Sequence, residues 1–140
     1  MILIDTNVFL ESALAQERAA ECKALLDEVS KGNLEATVTH FTLHAICAVL
    51  DDANKVAEFL RSVESSIGFH VYETSISEEI SVAILASDIR RDFDDALQLF
   101  VARKVGATSI VSFDKHFNKL EIPKREPSWI LEQMRRESKN

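Results

Sequence analysis

Asp5, Asp95 and Asp114 are the residues of this chain whose type and spacing could do chemistry. Asp5 ends the apolar run Ile2 to Ile4, Asp114 follows Ile110 and Val111, and Asp95 opens a periodic segment that leads directly into that second run. Apolar runs this short suit buried strands better than buried helices, and an acid just past such a strand lies at its carboxyl end. Open α/β sheets bind their ligands outside the carboxyl ends of the strands, so the three acids are expected to meet at one crevice. Clustered carboxylates repel one another unless a cation sits among them. Mg²⁺ is suited to hard oxygen ligands of this kind.

The elements that must position these acids are marked by the three glycines. Gly32, Gly68 and Gly106 each follow a helical pattern and precede an apolar run, at Leu34 to Thr39, Phe69 to Tyr72 and Ser109 to Val111. Each is read as a left-handed residue just past a helix, which glycine adopts without penalty. With Ile2 to Ile4 this gives four strands. Helices are predicted at about 7–15, 17–31, 40–50, 53–66, 76–89 and 93–105, with a short turn at 115–119 and a last helix at 127–138 that starts on Pro127. Helical crossovers between consecutive strands require a parallel sheet with right-handed connections, so the fold class is α/β. The 140 residues are read as a single domain.

Aspartate also caps helices, and Asp5, Asp94 or Asp95, and Asp114 all precede helical stretches. That reading stands beside the metal-site reading for each acid taken singly. Their order along the chain favours a shared site, because three separate crossover units would each have to put an acid at the same sheet edge by chance. Other chemistries lack their residues: there is no glycine-rich phosphate loop and no Gly-x-Ser-x-Gly turn. A phosphoaspartate enzyme would want a second acid two residues after Asp5, where Asn7 stands. Cys22 and Cys47 fall on apolar helix faces and are expected to be buried reduced thiols.

The formal net charge of −7 argues against nonspecific coating of nucleic acid, but the charge is unevenly placed. Residues 1–89 hold five Lys and Arg against fifteen Asp and Glu, a net of −10, while residues 90–140 hold eleven against eight, a net of +3. The basic third adjoins two of the three acids and could steer a polyanion toward them; solvated helix faces would look the same. No apolar run is long enough to span a bilayer, no leader pattern precedes the first strand, and a cytoplasmic location is expected.

Three segments together resemble a PIN domain, the fold of many metal-dependent ribonucleases including the VapC-type toxins of toxin–antitoxin pairs. They are Ile4-Asp5-Thr6-Asn7-Val8, Phe93-x-Asp95-Ala96-Leu97 and Ile110-Val111-Ser112-Phe113-Asp114. The resemblance covers essentially the whole chain. It implies a three-layer α/β/α sandwich around a central parallel sheet of four or five strands. It also implies that Asp5, Asp95 and Asp114 hold one or two Mg²⁺ or Mn²⁺ ions, with Asn7 and Ser112 as polar supports. The expected activity is endoribonuclease cleavage, with RNA as substrate, a small antitoxin protein as partner and a homodimer as the assembly. The family's usual glutamate on the helix after the second strand aligns with Ala45, next to His44, which is either a compensating ligand or a surface histidine. Asp52 lies seven residues further on, about 10 Å along a helix, too far to substitute. Glu11, Asp92 and Asp94 are second-rank acids, and Lys115, His116, Arg103 and Lys104 are candidates for contacts to RNA phosphates. The alternative implied by Ala45 is a catalytically weak or inactive binding or RNA-processing module on the same fold.

Overall fold

The structure, a computed structural model, describes all residues from Met1 to Asn140. Its centre is a five-stranded sheet in the order β3-β2-β1-β4-β5, every pairing parallel. The strands are β1 (Ile2–Ile4), β2 (Ala36–Thr39), β3 (Phe69–Tyr72), β4 (Ile110–Val111) and β5 (Lys124–Arg125). The helices are α1 (Thr6–Ala13), α2 (Ala19–Ser30), α3 (His40–Leu50), α4 (Ala53–Ser65), α5 (Ile76–Ile89), α6 (Phe93–Lys104) and α7 (Pro127–Ser138), with a 3₁₀ turn at Lys115–Phe117. No helix is long and apolar enough to cross a membrane.

β1 is wholly buried, and its alternating side chains build two cores at once. Ile2 and Ile4 face a layer that includes Val8, Phe9, Leu25, Val29, Leu43 and Ile46, while Leu3 faces Val82, Leu97, Leu99, Val101 and Phe117. Ile110 and Val111 of β4 divide between the same two cores. The sheet is therefore the middle of three layers, as the resemblance implied. The chain runs outward from β1 through β2 to β3, then crosses back to β4 on the other side of β1. That reversal leaves a crevice beyond the carboxyl ends of β1 and β4.

Four predicted strands are present; the fifth, Lys124–Arg125, is two basic residues after Pro123 and carries no apolar signal. Two glycines behave as expected, Gly32 at φ +84° and Gly106 at φ +67°. Gly68 does not: its φ is not positive, and it is required by close approach instead. A Cβ there would stand 2.2 Å from the Leu34 carbonyl oxygen and 2.6 Å from that of Val29. The missing side chain lets the Gly68 amide donate to the Val29 carbonyl (2.9 Å) and its carbonyl accept from Ala36 (2.9 Å), which docks β3 against the end of α2. Two helices close instead on left-handed residues that are not glycine, Asp51 at φ 46° and Arg90 at φ 55°. Cys22 is buried, and burial pushes its thiol up to about 12. Cys47, expected to be buried as well, is only half-buried.

Gly68→Ala and Gly106→Ala separate these two uses of glycine. Around Gly106 nothing lies within 4 Å of an added Cβ, so only the left-handed backbone resists alanine, at a cost of about 1 kcal/mol. Gly68→Ala must displace backbone carbonyls and is expected to cost about 2 kcal/mol or more in urea unfolding. Equal losses in the two variants would contradict this account.

Candidate functional site

β1 and β4 pair with Leu3 opposite Ile110 and Ile4 opposite Val111, which brings the next residues, Asp5 and Ser112, side by side. The Ser112 hydroxyl donates to Asp5 Oδ2 at 2.8 Å. It also accepts from Asn7 Nδ2 (3.2 Å) and from the Asp114 amide (2.9 Å), while Asn7 Oδ1 accepts from the Phe113 amide (3.4 Å). Ser112 and Asn7, expected as polar supports, thus join the first acid to the last.

Asp5 caps α1 through the Thr6 amide (2.8 Å) and Asp114 caps the 3₁₀ turn through the His116 amide (2.9 Å). The capping and site readings of these acids are therefore compatible, since one carboxylate can accept more than two hydrogen bonds. Asp95 lies in the first turn of α6, where a negative charge is favoured by the helix dipole. Asp5, Asp95 and Asp114 line one cleft of about 320 Å³ together with Asn7, Asp94, Gln98, Phe41 and Ala45. A second hollow of about 350 Å³, floored by Phe9, Phe59 and Phe69, contains none of these acids.

Two further residues join the acids. Gln98, only 3% exposed, donates to Asp5 Oδ1 (3.3 Å) and to the Thr42 hydroxyl (2.9 Å). Its Oε1 is buried without a partner. A glutamine inside an amphipathic helix reads as solvent-facing, yet its place three residues after Asp95 puts both on one helix face, which was the available signal. His116 is the other. Its Nδ1 stands 3.3 Å from Asp95 Oδ2 and 3.4 Å from Asp114 Oδ1, and the three donor atoms lie within 4.8 Å of one another.

Some sequence candidates lie elsewhere. His44 is exposed, stacks on His40 with ring centroids 4.5 Å apart, and lines a separate hollow with Glu73 and Glu79. It is one residue off the helix face that Ala45 presents to the aspartates. Arg103 pairs with Glu121 and Lys104 lies over the Phe100 ring, at the far end of α6, about 12 to 14 Å along the axis from Asp95. Asp52 caps α4, Glu11 accepts from the Arg18 amide, and Asp92 occupies the cap position of α6 without a side-chain bond. Of the second-rank acids, Asp94 alone reaches the cleft.

Burial raises the pKa of Asp5 above the usual aspartate range, against the lowering pull of its Ser112 and Thr6 hydrogen bonds, and Asp114 and Asp95 push it further up. Asp95 is raised as well, first by burial and then by the charge of Asp114, with His116 acting in the opposite sense.

A PIN domain family model matches residues 1–116. The chain belongs to the PIN domain family. Solved structures share the fold at low identity. VapC20 of Mycobacterium tuberculosis, described as a sarcin-ricin loop cleaving toxin, matches at 19% identity and a TM-score of 0.71 over 91% of this chain and 100% of its own. A toxin–antitoxin complex from Klebsiella pneumoniae matches at 15% and 0.70 over 91% and 98%. PAE2754 of Pyrobaculum aerophilum matches at 19% and 0.63 over 96% of both chains. No functionally curated protein matches the sequence significantly.

In this PIN domain the raised acids give a defined pH signature. A carboxyl whose folded pKa exceeds its unfolded value of 3.8 destabilises the fold when the pH is above both. The penalty fades as the pH falls through the raised value and is gone below 3.8. Asp95→Asn is therefore expected to raise the thermal midpoint of the metal-free protein at pH 7, with the gain shrinking steadily toward pH 4. A gain independent of pH would contradict this assignment of the strain.

Proposed function

We propose that this PIN domain is a Mg²⁺- or Mn²⁺-dependent endoribonuclease and acts as the toxin of a toxin–antitoxin pair. The observation that carries the reading is the convergence of Asp5, Asp95 and Asp114 on one cleft at the switch point of a sheet whose fold is shared with such toxins. The donor set fits a divalent cation: carboxylate oxygens gathered in one cleft, with two of the acids destabilised in their charged form. When bound, the ion supplies Lewis acidity toward the scissile phosphate and makes water a usable nucleophile near neutral pH.

Each residue then has a distinct task. Asp95 and Asp114 hold the cation. Asp5, fixed by Ser112, Gln98 and Thr6, keeps one carboxylate oxygen with spare lone pairs on the cleft floor. Asn7 locks Ser112 and the start of the Phe113–Asp114 loop. Lys115, on the exposed 3₁₀ turn next to Asp114, is placed to attract RNA phosphate, a role that Arg103 and Lys104 cannot share from the far end of α6.

The same reading places the protein in the cytoplasm with its RNA, paired with a small antitoxin and assembled as a homodimer. Support for the dimer comes from α5, where Ile76, Ile80 and Ile84 recur every four residues and are 76%, 60% and 61% exposed. Such a ladder on one helix face suits a self-complementary contact. A weaker or inert binding module is favoured by one feature, the methyl group of Ala45 where the family's glutamate would enter the cleft.

Single-stranded RNA incubated with the purified protein and Mg²⁺ or Mn²⁺ decides between the two. Cleavage is expected, is expected to stop in EDTA, and should fall by about 10² or more in Asp5→Asn and Asp114→Asn while circular dichroism stays native. Ala45→Glu is expected to raise the rate. Undiminished cleavage in Asp114→Asn would remove the site assignment, and no cleavage by either the wild type or Ala45→Glu would leave the inert module.

A further inference from the structure

We propose that the cation of this cleft is a divalent transition metal ligated by the His116 imidazole together with Asp95 and Asp114, in preference to Mg²⁺ held by oxygen alone. The proposal rests on the metal-dependent reading of the cleft and adds the identity of a ligand and the class of ion. His116 Nδ1 is 3.3 Å from Asp95 Oδ2 and 3.4 Å from Asp114 Oδ1. Ligand atoms about 2.1 Å from a common ion stand at separations of this size.

The ring does not reach the carboxylates by chance of a long side chain. The 3₁₀ turn that carries it is pinned on three sides. Phe117 is 1% exposed in the core below, the His116 amide donates to Asp114 Oδ1 at 2.9 Å, and Arg91 Nε donates to the His116 carbonyl at 3.1 Å. These contacts leave the imidazole within reach of the two acids, with 63% of its side chain exposed to solvent.

Across the cleft, Ala45 supplies no carboxylate, so the oxygen count is reduced on that side. Gln98, 3% exposed and lining the same cleft, carries an Oε1 that is buried without a partner, while its Nε2 holds Asp5 and Thr42. Mg²⁺ takes oxygen ligands and parts with water reluctantly, whereas imidazole nitrogen is a good donor to first-row transition ions. Replacing a carboxylate by an imidazole therefore moves the preference away from Mg²⁺ and toward Mn²⁺ and its heavier neighbours.

The test uses the full chain stripped of metal, with Mn²⁺ and Mg²⁺ as probes. Calorimetric titration is expected to give tighter binding of Mn²⁺ than of Mg²⁺, by about tenfold or more, and pulsed EPR of the Mn²⁺ form should show coupling to a directly bound nitrogen. In His116→Ala the nitrogen coupling should vanish and Mn²⁺ affinity should drop about tenfold with little change for Mg²⁺. Exposure of the ring makes this variant safe for folding, which far-UV circular dichroism verifies. If nitrogen coupling is absent from the wild type, or survives in His116→Ala, the proposal is wrong and His116 is only a polar neighbour of the two acids. Asp95→Asn keeps the two layers of the argument apart. Loss of both ions there with no effect of His116→Ala overturns the histidine ligand alone, whereas wild-type binding of both ions in Asp95→Asn overturns the carboxylate cleft itself.

Discussion

The hydroxyl of Ser112 is the interaction on which the cleft depends. It is wholly buried, gives its proton to Asp5 Oδ2, and accepts from Asn7 and from the Asp114 amide. One donor and two acceptor sites are all a serine has, and all are used. Through it the end of β1, the start of α1 and the loop after β4 are held as one piece. The alignment that makes this contact available is the parallel register of β1 and β4, which a slip by one residue would destroy by turning Ser112 to the other face.

The same geometry carries a cost that the rest of the fold must offset. Asp5 and Asp95 are driven upward in pKa by burial and by neighbouring acids, so at neutral pH the metal-free cleft works against folding. What holds it is mass rather than charge. β1 is packed on both faces, and the helices that bring Asp95 and Asp114 into place are anchored by Leu97, Leu99, Val101 and Phe117. Hydroxyls complete the floor: Thr39 donates to Thr42, and Thr42 accepts from the Gln98 amide that also reaches Asp5. A cation would relieve the repulsion without altering this frame.

Much of the frame was legible in the sequence because it depends on local patterns. Apolar runs marked four strands, the helix spans were found to within two or three residues, and the acids at strand ends were sufficient to locate the cleft. What was not legible depends on tertiary context. Gly68 and Gly32 look alike in sequence, yet one answers to a backbone contact and the other to a left-handed turn. Arg90 adopts a left-handed helix end that no residue preference announces, and Asp51 does so with only aspartate's modest tolerance of that region. β5 carries no hydrophobic signal, because Lys124 and Arg125 pair through backbone alone at a sheet edge. The helix phase that separates Ala45, which lines the cleft, from His44, which turns away, depends on α3 starting immediately after Thr39, whose side chain caps it. His116 was read as a basic residue near the site, and only the 3₁₀ turn shows that its ring turns inward to the acids.

The chemistry of the cleft therefore turns on whether a divalent ion sits between the residues that Ser112 and α6 bring together. Crystals soaked in Mn²⁺, with data collected at the manganese edge, measure this directly. An anomalous peak is expected in the cleft, about 2.2 Å from an oxygen of both Asp95 and Asp114. A peak confined to other acids, or an empty cleft at a Mn²⁺ concentration that saturates the protein in solution, would contradict it.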